Sequence, residues 1–375
     1  MPVFLHALRG VLPETAYAQA RIRDVIRAQP ELDRLGQRLT TSIFNNAGIE
    51  TRHSVVPDFG PQGAGLFYDP QTERMLTPST GVRNAYYVEH ATPLFLAAAR
   101  AALAASPHLK AADITHVVTV SCTGFYAPGP EYAIVRGLGL SPQTQRFHLG
   151  FMGCYAAFPA LRMARAFCEA DPDAVVLVVC AELCTIHMHS VNDPDTLIAN
   201  SVFADGAAGV IVSARTPAAG TPALRMDGFG TTLTPEGVGE KEMAWTVGDQ
   251  GYDMVLSTYV PEIIEANIGP VLTDLLTHDR GLAGAASAQV QRWAIHPGGR
   301  QILDRVQGAL ELSDGQLAPS REVLRRAGNM SSATVLFILQ DVLAQGTDGE
   351  RVAALAFGPG LTVESGLFTI CSGLD

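Results

Sequence analysis

The stretch 174–180 reads Ala-Val-Val-Leu-Val-Val-Cys, with no polar position at which a strand could meet water. Strands with one wet face alternate apolar and polar side chains, because successive residues point to opposite faces. An unbroken apolar run is the pattern of a strand covered on both faces, as in the parallel sheets of α/β proteins. A related run at 114–120, Ile-Thr-His-Val-Val-Thr-Val, leads into a loop of small residues at 121–129. The chain is therefore expected to be layered α/β, with helices on both sides of a sheet.

The remaining pattern fits that frame. Helices are expected over 14–52, 89–106, 155–170, 252–279, 300–311 and 331–345, and strands over 209–213, 291–296, 351–357 and 361–371. A stretch rich in Pro, Thr and Gly at 214–240 reads as a joint between two halves. Each half runs strand, loop, helix, strand, with its reactive side chains at strand ends or helix starts. Open α/β sheets place their sites there.

A length of 375 residues suits two domains or one large duplicated one, and 47% hydrophobic residues against 17% charged supply a large core. The net charge of −11 speaks against a general nucleic-acid binder and against an anionic membrane surface. It leaves room for a local basic patch that holds a polyanion such as coenzyme A. Six cysteines, at 122, 154, 168, 180, 184 and 371, show no disulfide-framework spacing and read as reduced thiols of a cytoplasmic protein. The N-terminus lacks the basic and apolar regions of a signal peptide, and no run of about 18 apolar residues predicts a membrane span.

Three segments carry the chemistry. Cys154 lies in Phe-Met-Gly-Cys-Tyr-Ala-Ala at 151–157, His296 opens His-Pro-Gly-Gly at 296–299, and Asn329 lies in Gly-Asn-Met-Ser-Ser-Ala at 328–333. A thiolate attacks a thioester, while an imidazole and a carboxamide can donate hydrogen bonds to a developing oxyanion. A free thiol, with a pKa of about 8.5, needs help to ionise at neutral pH. Two sources are expected: a helix starting at Cys154, and an imidazolium–thiolate pair with His296. Acidic side chains are absent from 147–168, which suits a thiolate. Gly298, Gly299, Gly358 and Gly360 let the backbone turn tightly and approach a ligand.

Taken together, these segments resemble the type III polyketide synthases, the chalcone- and stilbene-synthase-like ketosynthases of the thiolase fold. Phe-Ala-Asp-Gly-Ala-Ala at 203–208 and Phe-Gly-Pro-Gly-Leu at 357–361 extend the likeness over essentially the entire chain. The resemblance implies duplicated αβαβα layers, with a half at 1–220 carrying the cysteine and a half at 221–375 carrying the histidine and asparagine. It also implies a homodimer, and a tunnel that brings an acyl-CoA starter and malonyl-CoA to the cysteine. No metal and no further cofactor are expected. Phe203 matches a gatekeeper aromatic, and Met254 the second gatekeeper in place of the usual Phe. Cys122, Thr123, Cys184 and His187 match cavity positions, and Phe357, Gly358, Pro359 and Gly360 a cavity loop. Ala356 replaces the first Gly of the plant version of that loop. Arg52, with Gly298 and Gly299, is matched to coenzyme A binding. The cysteines where chalcone-forming enzymes carry threonines resemble bacterial alkylpyrone and alkylresorcinol synthases, which implies a medium or long fatty acyl starter.

Two rivals use similar residues. A ketosynthase III of fatty-acid synthesis shares the three groups but has His-Gln-Ala-Asn where this chain has His-Pro-Gly-Gly. A papain-like cysteine hydrolase also uses Cys, His and Asn, without two repeated α/β halves. Cys180, Cys184, His187 and His189 crowd within ten residues, but zinc sites generally join ligand pairs from separate turns, and cavity lining or core is the expected role.

Overall fold

The apolar run at 174–180 lies in a nine-residue strand, Val175–Leu183, in which every residue is buried. This is seen in a computed structural model that describes residues 1–60, 63–284 and 286–373. In chain order the first part carries β1 (Phe4–Val11), β2 (Ala16–Ala18), α1 (Gln19–Arg27), α2 (Arg34–Asn46), β3 (Thr51–His53), β4 (Tyr68–Asp69), β5 (Arg74–Met75), α3 (Thr80–Ala104) and β6 (His116–Ser121). It continues with α4 (Pro130–Gly137), β7 (Gln145–Gly150), α5 (Ala157–Ala170), β8 (Val175–Leu183), α6 (Pro194–Val202) and β9 (Asp205–Ser213). The second part carries β10 (Pro222–Leu233), β11 (Met243–Gly248), β12 (Gly251–Leu256), α7 (Val260–Leu276) and β13 (Arg292–Ile295). It closes with α8 (Arg300–Ala309), α9 (Asp314–Ala327), α10 (Thr334–Gln345), β14 (Arg351–Gly358) and β15 (Thr362–Ser372).

Side-chain parity along β8 and β14 builds the layers. Val176, Val178 and Cys180 enter a central core with α5 and α10, while Val175, Leu177, Val179, Ala181 and Leu183 face a second core with α3. On β14, Val352, Ala354 and Ala356 enter the same central core, and Ala353, Leu355 and Phe357 face a third core with α7 and α8. Helix, sheet, helices, sheet, helix follow in that order, which is the five-layer αβαβα arrangement. Nine strands pair in the order β13-β14-β15-β10-β1-β9-β8-β6-β7. The sheet is mixed: β8 is parallel to β6 but antiparallel to β9. β1 pairs antiparallel with both β9 and β10 and so joins the two halves.

Several expected boundaries shift. Residues 252–256 are not helical but form β12, which pairs with β11 as a separate hairpin; Tyr252 and Leu256 are buried while Asp253 and Val255 are exposed, a period of two. The joint expected over 214–240 contains β10, a 12-residue strand inside the main sheet whose register shifts between Met226 and Gly228. Gly228 fits because a Cβ there would stand 2.2 Å from the His278 ring. Helix α9 was not expected, although a Ser313–Gln316 capping box marks its start. Helix α3 begins at Thr80 rather than 89, where the Ser79 side chain accepts a hydrogen bond from the Val82 N–H.

Candidate active site

Loop segments from both halves and the β11–β12 hairpin surround a cavity at one edge of the layers. Cys154, His296 and Asn329 all line it. The backbone leaves β7 through Phe151, at φ 56°, and Gly153, at φ 84°, before reaching Cys154. Gly153 is required twice over, by its φ and because a Cβ would stand 2.5 Å from Pro359 Cδ. A Cβ on Gly358 would meet Tyr155 Cδ1 at 2.5 Å, so the loop after β14 rests directly on the cysteine turn. Helix α5 starts at Ala157, three residues later than expected, and Cys154 lies in the turn that leads into it.

Asn329 is fixed from several sides. Its N–H donates to the Val202 carbonyl at 2.8 Å and its carbonyl accepts from the Ala204 N–H at 2.8 Å. Its Oδ1 accepts from the Ser331 N–H at 2.8 Å and from Thr334 Oγ1 at 3.4 Å, which directs the amide nitrogen the other way. His296 follows β13 and donates its backbone N–H to the Leu355 carbonyl at 2.8 Å. Both of its ring nitrogens are buried without a partner among the described residues.

Burial pushes the Cys154 thiol up to about 12, against hydrogen bonds from Ser331 and Asn329 that favour the thiolate. Burial likewise pushes His296 down to about 3. Burial thus works against the charge on either group taken alone, so an imidazolium–thiolate pair here would depend on the attraction between the two and on the donors around the sulfur. The expectation from the sequence missed a carboxyl group. Glu182, from β8, is fully buried behind the cavity. Its Oε2 accepts from the Cys122 N–H at 2.8 Å, Thr123 Oγ1 at 3.0 Å and Ser121 Oγ at 3.3 Å, and its Oε1 from Ser332 Oγ at 2.5 Å. Burial raises it to about 7 in spite of those four donors. Sequence proximity to Cys154 could not reveal it, because it comes from a different strand.

The expected cavity residues divide. Phe203, Met254, Cys122, Thr123, Cys184, Phe357 and Pro359 line the cavity with the three reactive groups. Cys122 Sγ accepts from the Gly153 N–H at 3.1 Å, which ties the loop after β6 to the cysteine turn. His187 does not line this cavity. Its Nε2 bonds the Thr123 carbonyl at 2.8 Å, its ring stacks on Tyr252 at 4.0 Å, and it faces a neighbouring chamber. Gly360 is set back in the turn after β14, and Gly358 acts through its contact with Tyr155. Met243, Trp245, Leu256 and Ile302 also line the cavity and were missed. Alternation along β11 and β12 was the signal for the first three.

Arg52 is not a surface cation. It is 2% exposed, donates to the Asn200 and Phe203 carbonyls at 2.5 and 3.0 Å, and lies over the Phe44 ring. β3 pairs with β2 and turns this side chain inward, where it secures the end of α6 beside Phe203. The groove that leaves the cavity past Leu256, Gly298 and Ile302 instead meets Arg300, with Gly299 and Ser42 on its walls. The four crowded Cys and His residues are dispersed. Cys180 enters the central core, Cys184 the catalytic cavity, and His187 and His189 the neighbouring chamber. Among the described residues no group of three or more potential ligands could hold a metal ion. No helix among them is long and apolar enough to cross a membrane.

Layers stacked in this way, with reactive groups contributed by both halves at one edge, define an acyltransferase of the thiolase-like class. Family models for the N-terminal and C-terminal domains of chalcone and stilbene synthases match residues 12–216 and 230–371, and the chain belongs to that family, the type III polyketide synthases. The alpha-pyrone synthesis polyketide synthase-like Pks18 of Mycobacterium tuberculosis is 36% identical over 337 residues, covering 88% of this chain and 81% of that protein. Bisdemethoxycurcumin synthase of Oryza sativa is 36% identical over 277 residues, 71% of this chain and 68% of that protein. Among solved structures, the C-terminal type III polyketide synthase domain of Steely1 from Dictyostelium superposes with a TM-score of 0.89 at 26% identity, covering 100% of both chains. PKS-I from the brown alga Ectocarpus siliculosus gives 0.87 at 30% identity, covering 98% of each. This assignment separates the chain from the ketosynthase III and papain-like readings.

Proposed function

We propose that the protein loads a medium or long fatty acyl group from its CoA thioester onto Cys154 and extends it with malonyl-CoA to a pyrone or resorcinol-type product. The observation that carries this is the convergence of Cys154, His296 and Asn329 on one largely apolar cavity with a groove leading out of it. The name of the mycobacterial relative, which concerns alpha-pyrone synthesis, agrees with the product class.

Loading begins at the Cys154–His296 pair. His296 takes the Cys154 proton as the sulfur attacks the starter carbonyl, and the CoA thiolate leaves with a proton. Malonyl-CoA then loses CO₂, and the enolate oxygen accepts hydrogen bonds from His296 and the Asn329 amide. The enolate carbon attacks the acyl carbonyl, the bond to Cys154 sulfur breaks, and the lengthened chain remains on CoA. An apolar enclosure protects the enolate from protonation by water. The Arg300 guanidinium, 3.5 Å from Asp304 at the groove, takes the place of Arg52 as the cation for the CoA phosphates.

This chemistry draws on CoA thioesters alone. The nucleophile belongs to the half at 1–220 and the donors to the half at 221–375. We assign a homodimer to the β7 edge of the sheet, where Phe125 and Phe151 are 53% and 41% exposed and Tyr132 lies nearby. Six free cysteines agree with a cytoplasmic setting. The test is mass spectrometry of products from a series of acyl-CoA starters with malonyl-CoA. Tri- and tetraketide pyrones or resorcinols from fatty acyl starters are expected. Preference for a hydroxycinnamoyl starter would overturn the starter class.

A further inference from the structure

A second chamber, partly open to solvent, adjoins the catalytic cavity. The two share Cys184, Phe203, Trp245 and Met254 as walls. Of these four, Cys184 is small and Met254 is a thin, flexible chain. Phe203 is tied to the catalytic backbone by its bridge to Asn329. The broad side chain in the wall is Trp245.

Trp245 stands opposite Met254 on the β11–β12 hairpin, whose other face carries the exposed Thr246 and Val255. The tip of the hairpin is pinned to the start of α3, where Thr80 N–H donates to the Asp249 carbonyl at 2.9 Å and Gly251 N–H to Thr80 Oγ1 at 2.8 Å. The backbone thus fixes the ring in place. Its edge contacts run to Phe203 at 6.4 Å, His187 at 6.3 Å and Tyr252 at 5.9 Å between centroids, and its indole nitrogen has no partner among the described residues. Packing alone holds the ring, so a smaller side chain breaks no hydrogen bond. Beyond it, the second chamber is mixed in character: Met188, Ala199 and Val191 share its walls with His189, Asn200 and Gln250, and it opens to solvent at Val191, which is 42% exposed.

We propose that Trp245 is the partition that sets the longest acyl chain this enzyme accepts. The tail of the Cys154-bound chain ends against the indole, and the second chamber is unused while the indole is present. This rests on the fatty acyl reading of the site.

The experiment is acylation of Cys154 followed by intact-protein mass spectrometry, with saturated acyl-CoAs from butyryl to stearoyl. Loading on the wild type should fall by about tenfold or more for each methylene beyond the limit, the scale of discrimination in a closed apolar pocket. Trp245→Ala should move that limit to longer chains, read as the ratio of long- to short-chain loading within the one variant, which general damage leaves unchanged. Val191→Trp in the Trp245→Ala background should move it back, and Val191→Trp alone should change nothing. An unchanged limit in Trp245→Ala, or a shortened one in Val191→Trp alone, overturns the proposal. Should Trp245→Ala fail to fold, Trp245→Leu keeps an apolar core side chain and a smaller extension of the limit is expected. A wild type that loads no fatty acyl group refutes the starter reading instead. The partition is then read from the longest polyketide that each variant releases from acetyl-CoA and malonyl-CoA, and equal lengths overturn it.

Discussion

Replacing Glu182 by Gln should make the protein more stable in mildly alkaline solution and remove part of its pH dependence. Glu182 is buried in the folded chain and titrates near 7, against 4.5 for the free side chain. Between those values the native state keeps a proton that the unfolded chain has released. Stability therefore falls as pH rises through this window, because the native state binds more protons than the unfolded one. Two and a half units at 1.36 kcal/mol each give roughly 3 kcal/mol, lost in full above pH 7. Gln has no such titration. Its carbonyl oxygen can accept from the Cys122 N–H and its amide can face Ser332 Oγ, so the network around Oε2 and Oε1 survives. His6, His187 and His296, which burial pushes down to about 4, 3 and 3, add an opposite slope below pH 6.5. That slope cancels in the difference between variant and wild type. Chemical denaturation followed by circular dichroism at intervals from pH 5 to 8.5 measures this difference. It should grow with pH in favour of the variant and level off above pH 7. Parallel stability curves would refute the assignment of a protonated, buried carboxyl behind the cysteine.

Cys154→Ala should abolish loading of labelled acyl-CoA and leave the fold intact; label on Cys122 or Cys184 in the wild type would overturn the nucleophile assignment. Asn329→Ala should spare loading but slow malonyl-CoA decarboxylation by on the order of 10²- to 10³-fold, the loss seen for an oxyanion donor. His296→Ala should impair both steps, measured as acyl-enzyme formation and CO₂ release. Arg300→Ala should raise KM for CoA substrates with little change in melting temperature. Arg52→Met should do the reverse, since it leaves the Asn200 and Phe203 carbonyls without their donor.

What the sequence made legible was whatever a local pattern encodes. The run at 174–180 led to a strand buried on both faces, and the three short segments led to side chains that share one cavity. Features that depend on pairing were hidden. β10 carries Pro222, Gly228 and Gly230, which weaken any strand signal, and only its neighbours β1 and β15 make it a central strand. Arg52 was misread because nothing local distinguishes a surface cation from one drawn inward by a two-strand ribbon. Glu182 reaches the site from β8, and its ionisation depends on burial that sequence spacing does not report. Trp245 lay inside a segment whose hairpin was partly read as helix.

The strand that stitches the halves together has a consequence for how the protein is made. β1 ends at Val11 and its partner β10 begins at Pro222, with β9 shortly before it. At translation speeds of about 5–20 residues per second, β1 waits roughly 10–40 s for both neighbours. During that time both of its edges carry unpaired N–H and C=O groups, and its apolar residues Phe4, Leu5, Ala7 and Leu8 have no sheet or core to join. The half at 1–220 can pair β1 with β9 once residue 213 has emerged, but the other edge of β1 stays open until β10 follows. Synthesis rate and chaperone supply, more than the stability of the finished enzyme, should then govern the yield of active protein, and slowing translation between β1 and β9 should lower it.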